Sequence, residues 1–355
     1  MTDRQKLSQR RRWLRRLMFT IQRLFLRTEI RGLENVPQDG PVLLLFNHLS
    51  TLDGPLVMAN TPRELELVGP GDFPSMWLEN ITMTLYDMIR VNRGRPDRAS
   101  LRQMAQHLKE GRALSMAPGG GTWEKRLTEA KPGAAYLSQL IGAPLMVVAL
   151  GGLYEVPTFH VKYFFKRPRV TMTFSEVLPP VPRSKIRAER DTQLEEATYA
   201  IMQRLYELLP SADQARYDHW TRATYDLELT FATLEGDEPL VYDGPPLPDM
   251  SGLAEFLAKP NLFRPMWLNS RLNIEPLHEP RFFPPLEVQL AARDLHTHLT
   301  VGAYDVYLPY RLGDYKAQQA YAALRFIHDE VCEWAMSHEA RIKIVPAIHD
   351  SLNLD

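Results

Sequence analysis

The feature that most constrains the fold is an unbroken apolar run at residues 42–46, which reads VLLLF. Consecutive apolar residues without alternation are typical of a strand that is buried on both faces. Such strands occur in parallel sheets that helices cover on both sides. The run therefore predicts the centre of an α/β core.

Strand and helix patterns alternate along the chain on either side of this run. Further strands are predicted at residues 65–68, 89–91, 113–116, 145–150 and 170–174, with a short strand and turn at residues 32–36. Helices are predicted at residues 52–59, 75–88, 98–110 and 194–209. This alternation favours an α/β domain with a mainly parallel central sheet flanked by helices. Sites in such sheets lie beyond the carboxyl ends of the strands.

Residues suited to chemistry follow three of the predicted strands. They are Asn47, His48, Ser50 and Asp53 after the first, Asn92 and Arg93 after the second, and Gly119, Gly120 and Gly121 after the third. A histidine that a carboxylate orients is suited to act as a general base toward a hydroxyl. A glycine turn can direct backbone N–H groups at an anion, and an arginine supplies a fixed positive charge. The sequence predicts that all three groups share one edge of the sheet.

Each of these groups also has a purely structural interpretation. Ser50 and Asp53 fit a capping box, in which Asp53 accepts a hydrogen bond from the backbone of the cap residue. The glycine run fits a tight turn, and most arginines are solvated. The order of the three groups, each after an apolar run, favours a functional site.

The first 28 residues form a basic amphipathic segment. On a helix of about 100° per residue, one face gathers Leu7, Leu14, Leu17, Met18, Ile21, Leu24 and Phe25, and the other Arg12, Arg15, Arg16, Arg23 and Arg27. Helices of this kind lie in a membrane interface, although a helix packed on its own domain has the same pattern.

Membrane lipids, and not nucleic acid, are the partners that this segment predicts, because its apolar face suits lipid. No apolar core of signal-peptide length follows the basic residues, and glycines and prolines interrupt the uncharged interval 132–154. We therefore expect a peripheral or monotopic protein at the cytoplasmic face of a membrane.

The rest of the chain changes character after residue 210. Residues 211–285 are rich in proline and aromatic residues, which predicts a packed arm without long helices. Residues 286–355 are expected to form a helical or irregular extension of unassigned role, with a helix at residues 315–338. The predicted domains are thus 1–28, 29–210, 211–285 and 286–355. The single Cys332 excludes a disulfide framework, and the histidines lack zinc-helix spacing, so no metal is expected.

Residues 30–180 resemble the glycerolipid acyltransferase superfamily, of the lysophosphatidic acid acyltransferase type. The first motif, Asn-His-x-Ser-x-x-Asp, is met by residues 47–53, the second by residues 89–93, and the fourth, a proline-led apolar strand, by residues 144–149. The third motif is usually Phe-Pro-Glu-Gly-Thr-Arg and reads APGGGTWE at residues 117–124. The resemblance implies a fold like that of glycerol-3-phosphate acyltransferase.

The same resemblance implies a mechanism and a set of site residues. His48 takes a proton from an acceptor hydroxyl that attacks an acyl thioester, while Asp53 orients the ring, and no acyl-enzyme forms. Substrate-binding residues are Asn47, Ser50, Arg93, Gly119, Gly120, Gly121, Thr122, Glu124 and Lys125. The implied donor is acyl-CoA or acyl carrier protein, without a bound cofactor, and the acceptor is a glycerolipid such as 1-acyl-sn-glycerol-3-phosphate.

The third motif departs from the family pattern. Gly119 stands where glutamate is common, and no arginine follows Thr122 directly. Glu124 would then fill the acidic role, and Lys125 or Arg126 would replace the arginine. A Pro-Gly-Gly motif resembles the branch that includes diacylglycerol and other neutral-lipid acyltransferases. Two other functions therefore stay open: acyl transfer to diacylglycerol or a long-chain alcohol, and a non-catalytic membrane-associated scaffold.

Overall fold

A computed structural model describes residues 3–71, 77–120, 130–153, 167–236, 238–259, 272–301 and 304–349. These residues form two compact units, which divide between residues 221 and 222. The sequence-based limits at residues 28, 210 and 285 do not coincide with this division. The helices at residues 3–25 and 211–222 pack within the first unit, whereas the proline-rich segment and the C-terminal residues share the second.

The first unit contains a seven-stranded sheet with helices on both faces. Its strands are β1 (Arg27–Arg31), β2 (Val42–Phe46), β3 (Leu65–Pro70), β4 (Ile89–Val91), β5 (Ala113–Met116), β6 (Leu145–Gly151) and β7 (Arg169–Phe174). Its helices are α1 (Asp3–Phe25), α2 (Asp53–Asn60), α3 (Trp77–Tyr86), α4 (Arg98–Lys109), α5 (Gly133–Ile141), α6 (Arg187–Leu208) and α7 (Ser211–Arg222).

The strand order in this sheet is β1-β7-β6-β2-β5-β3-β4. The five strands from β6 to β4 pair in parallel, β7 pairs antiparallel with β6, and β1 pairs parallel with β7. Each successive parallel strand requires a crossover, and helices α2 to α5 supply these connections. The predicted α/β fold with a mainly parallel central sheet is confirmed.

Strand β2 lies between two apolar layers, and all of its residues are buried. Leu44 and Phe46 belong to the layer on the side of α1 and α2, and Leu43 and Leu45 belong to the layer on the side of α4, α5 and α6. Side chains alternate across a strand, so burial of both faces removes any polar alternation from the sequence. The carboxyl end of β2 is thereby held in the core where residues 47–53 begin.

The strand predicted at residues 32–36 is displaced toward the N-terminus. Strand β1 ends at Arg31, and residues Leu33–Asn35 form a 3-10 turn instead. Gly32 separates them with φ 71°, and a Cβ at this position would lie 2.1 Å from the carbonyl oxygen of Phe174. Only glycine fits this left-handed turn against β7, which explains why the strand stops there.

Helix α1 packs on the first unit through one face. Leu14 is buried, and Met18 packs against the same core layer, as the apolar stripe predicts. Leu17 and Leu24 of that stripe remain 40% and 60% exposed. Arg15, predicted on the polar face, instead bonds backbone carbonyls of the domain. Neither α1 nor any other helix of the described residues is long and apolar enough to cross a membrane.

The second unit contains a three-stranded antiparallel sheet of order β10-β8-β9 and a set of helices. Its elements are β8 (Thr224–Thr233), β9 (Pro239–Leu240), α8 (Ser251–Ala258), α9 (Pro285–Thr300), α10 (Tyr307–Leu312), α11 (Asp314–Phe326), α12 (Cys332–Ser337) and β10 (Ala340–His349).

The prediction of an arm followed by a helical or irregular extension is wrong for β8 and β10. The two strands pair along ten residues each, from Thr233 opposite Ala340 to Thr224 opposite His349. In the sequence, one strand lies at the start of the second unit and the other near its end, so neither segment has the short turn that would predict a hairpin. The helix predicted at residues 315–338 is present as α11 and α12, which a π-helical turn at Ile327–Val331 joins.

Candidate active site

The first strand-end loop places His48 against Asp53. The Nδ1 atom of His48 lies 2.8 Å from Oδ2 of Asp53. Asp53 is fully buried at the first position of α2, and the His48 side chain is 28% exposed. The His48 ring also meets the edge of the Phe46 ring, with centroids 5.8 Å apart. A buried carboxylate and the last residue of β2 thus hold a partly exposed imidazole.

The Asp53 carboxylate also organises the loop backbone. Its Oδ2 atom accepts hydrogen bonds from the backbone N–H groups of Leu49 and Ser50. The bond from Ser50 is the backbone contact that the capping-box interpretation predicted, although α2 begins at Asp53 and Leu52 is its N-cap residue. The Ser50 hydroxyl, which is fully buried, accepts a bond from the N–H of Leu52. The capping and histidine-orienting roles of Asp53 therefore coexist in one carboxylate.

Burial determines the electrostatics of Asp53. Complete burial raises the pKa of Asp53 above its usual value, and the hydrogen bonds from His48, Ser50 and Leu49 oppose that rise. The two backbone N–H donors on Oδ2 suit an ionised carboxylate, which accepts and does not donate. With Nδ1 donating to Asp53, the Nε2 atom of His48 is left as the proton acceptor. The pair has the arrangement of a general base and its orienting partner.

Asn47 occupies a different place from the one that the motif suggests. Its amide nitrogen donates to the carbonyl of Leu150 at 2.8 Å, and its amide oxygen accepts from the N–H of Leu150 at 2.7 Å. Leu150 lies in β6, the neighbour of β2, and Asn47 is buried. This reciprocal pair fastens the start of the catalytic loop to the end of β6. A substrate contact by Asn47 stays a prediction.

The second and third strand-end loops meet through Arg93. Its Nη1 atom donates to the carbonyl oxygen of Gly120 at 2.8 Å. Gly120 has φ 76° and closes a turn in which its N–H donates to the carbonyl of Ala117. That N–H is used within the turn, so the predicted cradle of glycine N–H groups does not include Gly120. The register of β5 against β2 nevertheless brings Ala117 and Asn47 to the same edge.

Several predicted site residues lie outside the described part of the chain. They are Gly121, Thr122, Glu124 and Lys125. Gly119 is described, half-buried in the turn before Gly120. Among the described residues, no cluster of histidine, cysteine and carboxylate side chains could hold a metal ion.

Asp97, which was not predicted as a site residue, fixes the loop that carries Arg93. Its Oδ2 atom accepts bonds from the N–H of Asn92 and from the hydroxyl of Ser100, and Oδ1 accepts from the N–H of Ser100. The bonds from the backbone of Asn92 and Ser100 lower the pKa of Asp97. The sequence pattern could have predicted this role, because an aspartate directly before a helical segment is a common N-cap residue. Asp97 is the N-cap of α4 and accepts a bond from the N–H of Ser100.

Comparisons with known proteins give a match to a family model and distant similarity to solved structures. Residues 27–151 match the family model described as Acyltransferase. The chain aligns with the crystal structure of the 1-acyl-sn-glycerophosphate (LPA) acyltransferase PlsC from Thermotoga maritima with a TM-score of 0.41 and 21% sequence identity. That alignment covers 59% of this chain and 84% of the other, and the similarity is too low to assign a fold or a function. No curated protein sequence matches the chain.

The matched region spans strands β1 to β6 and contains the three loops described above. It includes His48 and Asp53 in contact, and Arg93 in contact with the glycine turn. The resemblance that the motifs carry is confirmed at the level of the family by the Acyltransferase model, which matches residues 27–151.

Proposed function

We propose that the protein is an O-acyltransferase that moves a fatty acyl group from a thioester donor to a hydroxyl of a glycerolipid. The observation that carries this proposal is the 2.8 Å contact between His48 Nδ1 and Asp53 Oδ2 within the acyltransferase domain. One ring nitrogen is engaged by a buried carboxylate, and the partly exposed ring leaves the other for a substrate proton.

The reaction follows from this geometry. His48 Nε2 removes the proton of the acceptor hydroxyl as that oxygen bonds to the thioester carbonyl carbon, and Asp53 stabilises the resulting imidazolium. The tetrahedral intermediate then collapses, the C–S bond breaks, and the imidazolium returns its proton to the departing thiolate. The products are an ester and a free thiol, and no acyl-enzyme is required.

For the acceptor, we propose a lysophospholipid with an anionic headgroup, 1-acyl-sn-glycerol-3-phosphate. Arg93 supports this choice because it brings a guanidinium to the carboxyl edge of the sheet, beside the glycine turn. The donor is acyl-CoA or acyl-loaded acyl carrier protein. The altered third motif favours a second candidate, a neutral acceptor such as diacylglycerol or a long-chain alcohol, because it lacks the arginine that usually follows the threonine.

We also propose that α1 holds the protein at the cytoplasmic face of a membrane as a peripheral protein. Trp13, Leu17 and Leu24 form an outward row on the side of α1 opposite its packed face, and they are 60%, 40% and 60% exposed. The neighbouring exposed arginines suit anionic headgroups, each contributing about 1 kcal/mol near a charged surface. Replacing Trp13 and Leu24 by serine should abolish sedimentation with phosphatidylglycerol vesicles, whereas replacing the exposed Val241 should not.

The decisive experiment presents the purified protein with acyl-CoA and acyl carrier protein donors against lysophosphatidate, diacylglycerol and long-chain alcohols, with products identified by mass. The variant His48→Ala should lose acyl transfer by about 10³-fold or more while the unfolding transition is retained. A matched control is His328→Ala, because His328 forms a similar contact with Asp329, at 2.6 Å, in the second unit. Turnover of His48→Ala close to wild type contradicts the mechanism. Absence of transfer to every acceptor favours the non-catalytic scaffold.

A further inference from the structure

Helix α2 carries Asp53, which orients His48 in the proposed function, and it is a short helix. It has eight residues and begins with Asp53, so the orientation of the catalytic carboxylate depends on how the helix is held. A helix of this length is marginal without tertiary contacts. Its N-cap residue, Leu52, makes no side-chain capping bond. The placement of α2 therefore depends on the contacts at its other end.

Arg15 of α1 bonds the carboxyl-terminal end of α2. Its Nε atom donates to the carbonyl of Met58 at 3.0 Å, and its Nη2 atom donates to the carbonyl of Thr61. The last carbonyls of a helix have no partners within the helix, and a positive charge there is favoured by the helix dipole. One guanidinium thus caps α2 from outside its own sequence.

Gln22 of α1 makes a second connection, to Asn60. The two side-chain amides exchange hydrogen bonds of 2.8 and 2.7 Å, and both residues are buried. Asn60 also donates to the carbonyl of Leu56 at 2.8 Å, which ties the pair to the last turn of α2. Because a buried amide that loses its partner is costly, this pair fixes the rotation of α2 against α1.

We infer that α1 is a positioning element of the active site, in which Arg15 and Gln22 set the placement of α2 and hence of Asp53 against His48. This inference rests on the proposed function and deepens it. The inward face of α1 holds the helix that presents the catalytic carboxylate, and the outward row is available for lipid. Arg15 and Gln22 are positioning residues, since they touch neither substrate nor the reacting atoms.

The first test compares Arg15→Gln, Arg15→Lys and Arg10→Gln with the wild type, using a soluble short-chain acyl-CoA and acceptor so that membrane binding does not contribute. Arg10 is the matched control because it is exposed on the same helix. Arg15→Gln should lower kcat by about tenfold and leave KM unchanged, since misplacement of a catalytic group by a fraction of an ångström has effects of this order. Arg15→Lys should recover part of kcat, and Arg10→Gln should match the wild type.

The second test follows the His48 imidazole directly by NMR of protein labelled with ¹⁵N-histidine, with the resonances assigned through His48→Gln. In the wild type we expect a downfield Nδ1 proton signal from the bond to Asp53. Arg15→Gln should shift or broaden that signal, and Arg10→Gln should not. Gln22→Ala provides a milder variant if Arg15→Gln does not fold, and combining it with Asn60→Ala should cost no more kcat than either change alone.

The outcomes separate this inference from the proposed function. An unchanged His48 signal and unchanged kcat in folded Arg15→Gln or Gln22→Ala overturn the positioning role while leaving acyl transfer intact. Equal losses in Arg15→Gln and Arg10→Gln also overturn it. A wild type that acylates no acceptor contradicts the proposed function, and the NMR comparison then still decides whether α1 positions the His48–Asp53 pair.

Discussion

The sheet of the first unit carries a buried carboxylate at each end, and the two have opposite environments. Asp53 follows the carboxyl end of β2, and Glu66 lies near the amino end of β3. The exposed fractions are 0% for Asp53 and 4% for Glu66. Both carboxylates are buried, yet the pKa of Asp53 is raised and the pKa of Glu66 is lowered. The difference lies in what each carboxylate contacts.

At the amino end, Glu66 is enclosed by two guanidinium groups. Arg11 makes bonds of 3.0 and 2.8 Å to its two oxygens, and Arg112 adds one of 2.9 Å. Arg11 is 2% exposed and also donates to the carbonyls of Tyr86 and Asp87. Burial alone would raise the pKa of Glu66, but these partners outweigh it and lower the pKa. A cluster so fully paired has a structural role.

At the carboxyl end, the side-chain partner of Asp53 among the described residues is His48, which is 28% exposed. Its Oδ1 atom has no hydrogen-bond partner among the described residues. No guanidinium of the described residues offsets the burial, and the pKa of Asp53 rises. A buried carboxylate that cations enclose is suited to a structural role, whereas one whose partner remains accessible to a substrate is suited to chemistry.

A substitution of Asp53, at the carboxyl end of the sheet, should affect activity far more than stability. Asp53→Asn should lower kcat by roughly 10³-fold, because an amide holds the imidazole in the wrong tautomer and stabilises no imidazolium. Its free energy of unfolding should change by less than about 1 kcal/mol, since the substitution removes a buried charge that has no cationic partner. Steady-state kinetics and urea unfolding measure the two quantities. A large loss of stability with retained kcat would place Asp53 in the same class as Glu66.

The opposite phenotype is expected at the amino end. Arg11→Met should lower the free energy of unfolding by about 3–5 kcal/mol, because it leaves a buried carboxylate with half of its partners. The adjacent exposed control, Arg10→Met, should change it by less than about 0.5 kcal/mol. Denaturant unfolding of both variants makes the comparison. Equal stabilities for the two variants would mean that the buried network contributes nothing net.

The lowered pKa of Glu66 predicts a pH dependence. A carboxylate whose folded pKa lies below its ordinary value of 4.5 adds stability that is fully present above that value and is lost as the pH falls through the folded pKa. The stability difference between wild type and Glu66→Gln should therefore be constant near neutral pH and shrink below about pH 4. Unfolding measured at a series of pH values tests this. A difference that grows on acidification has the wrong sign for the ion-pair explanation.

The smallest expected effect concerns the loop that carries Arg93. Asp97→Asn should loosen the bonds to Asn92 and Ser100 and raise the KM for an anionic acceptor by about threefold to tenfold with kcat unchanged. A neutral acceptor should show no such rise, and the exposed Asp191→Asn serves as the control. An equal rise in KM for both acceptors would show that Asp97 has no part in recognition of the anionic headgroup.

Local patterns in the sequence were sufficient to predict the sheet and the contact between His48 and Asp53. Strands β4 and β5 have the predicted limits, because short apolar runs bounded by turn residues identify buried strands. His48 and Asp53 are five residues apart on a strand end and a helix start, so their contact needs only local geometry. By contrast, β8 and β10 were missed because their pairing partners stand far apart in sequence.

For helix α1, the sequence pattern predicts the helix, but the tertiary structure decides which of its faces packs against the domain. The spacing of the apolar residues follows the helical period and was enough to predict a basic amphipathic helix, which the structure has at residues 3–25. It did not determine which side turns inward, since Leu14 and Leu17 belong to the same stripe yet one is buried and the other is exposed. The inward face is set by the bonds that Arg11 makes to Glu66 and that Arg15 makes to the end of α2. These partners are more than 40 positions away in the chain, and only folding brings them within hydrogen-bond distance.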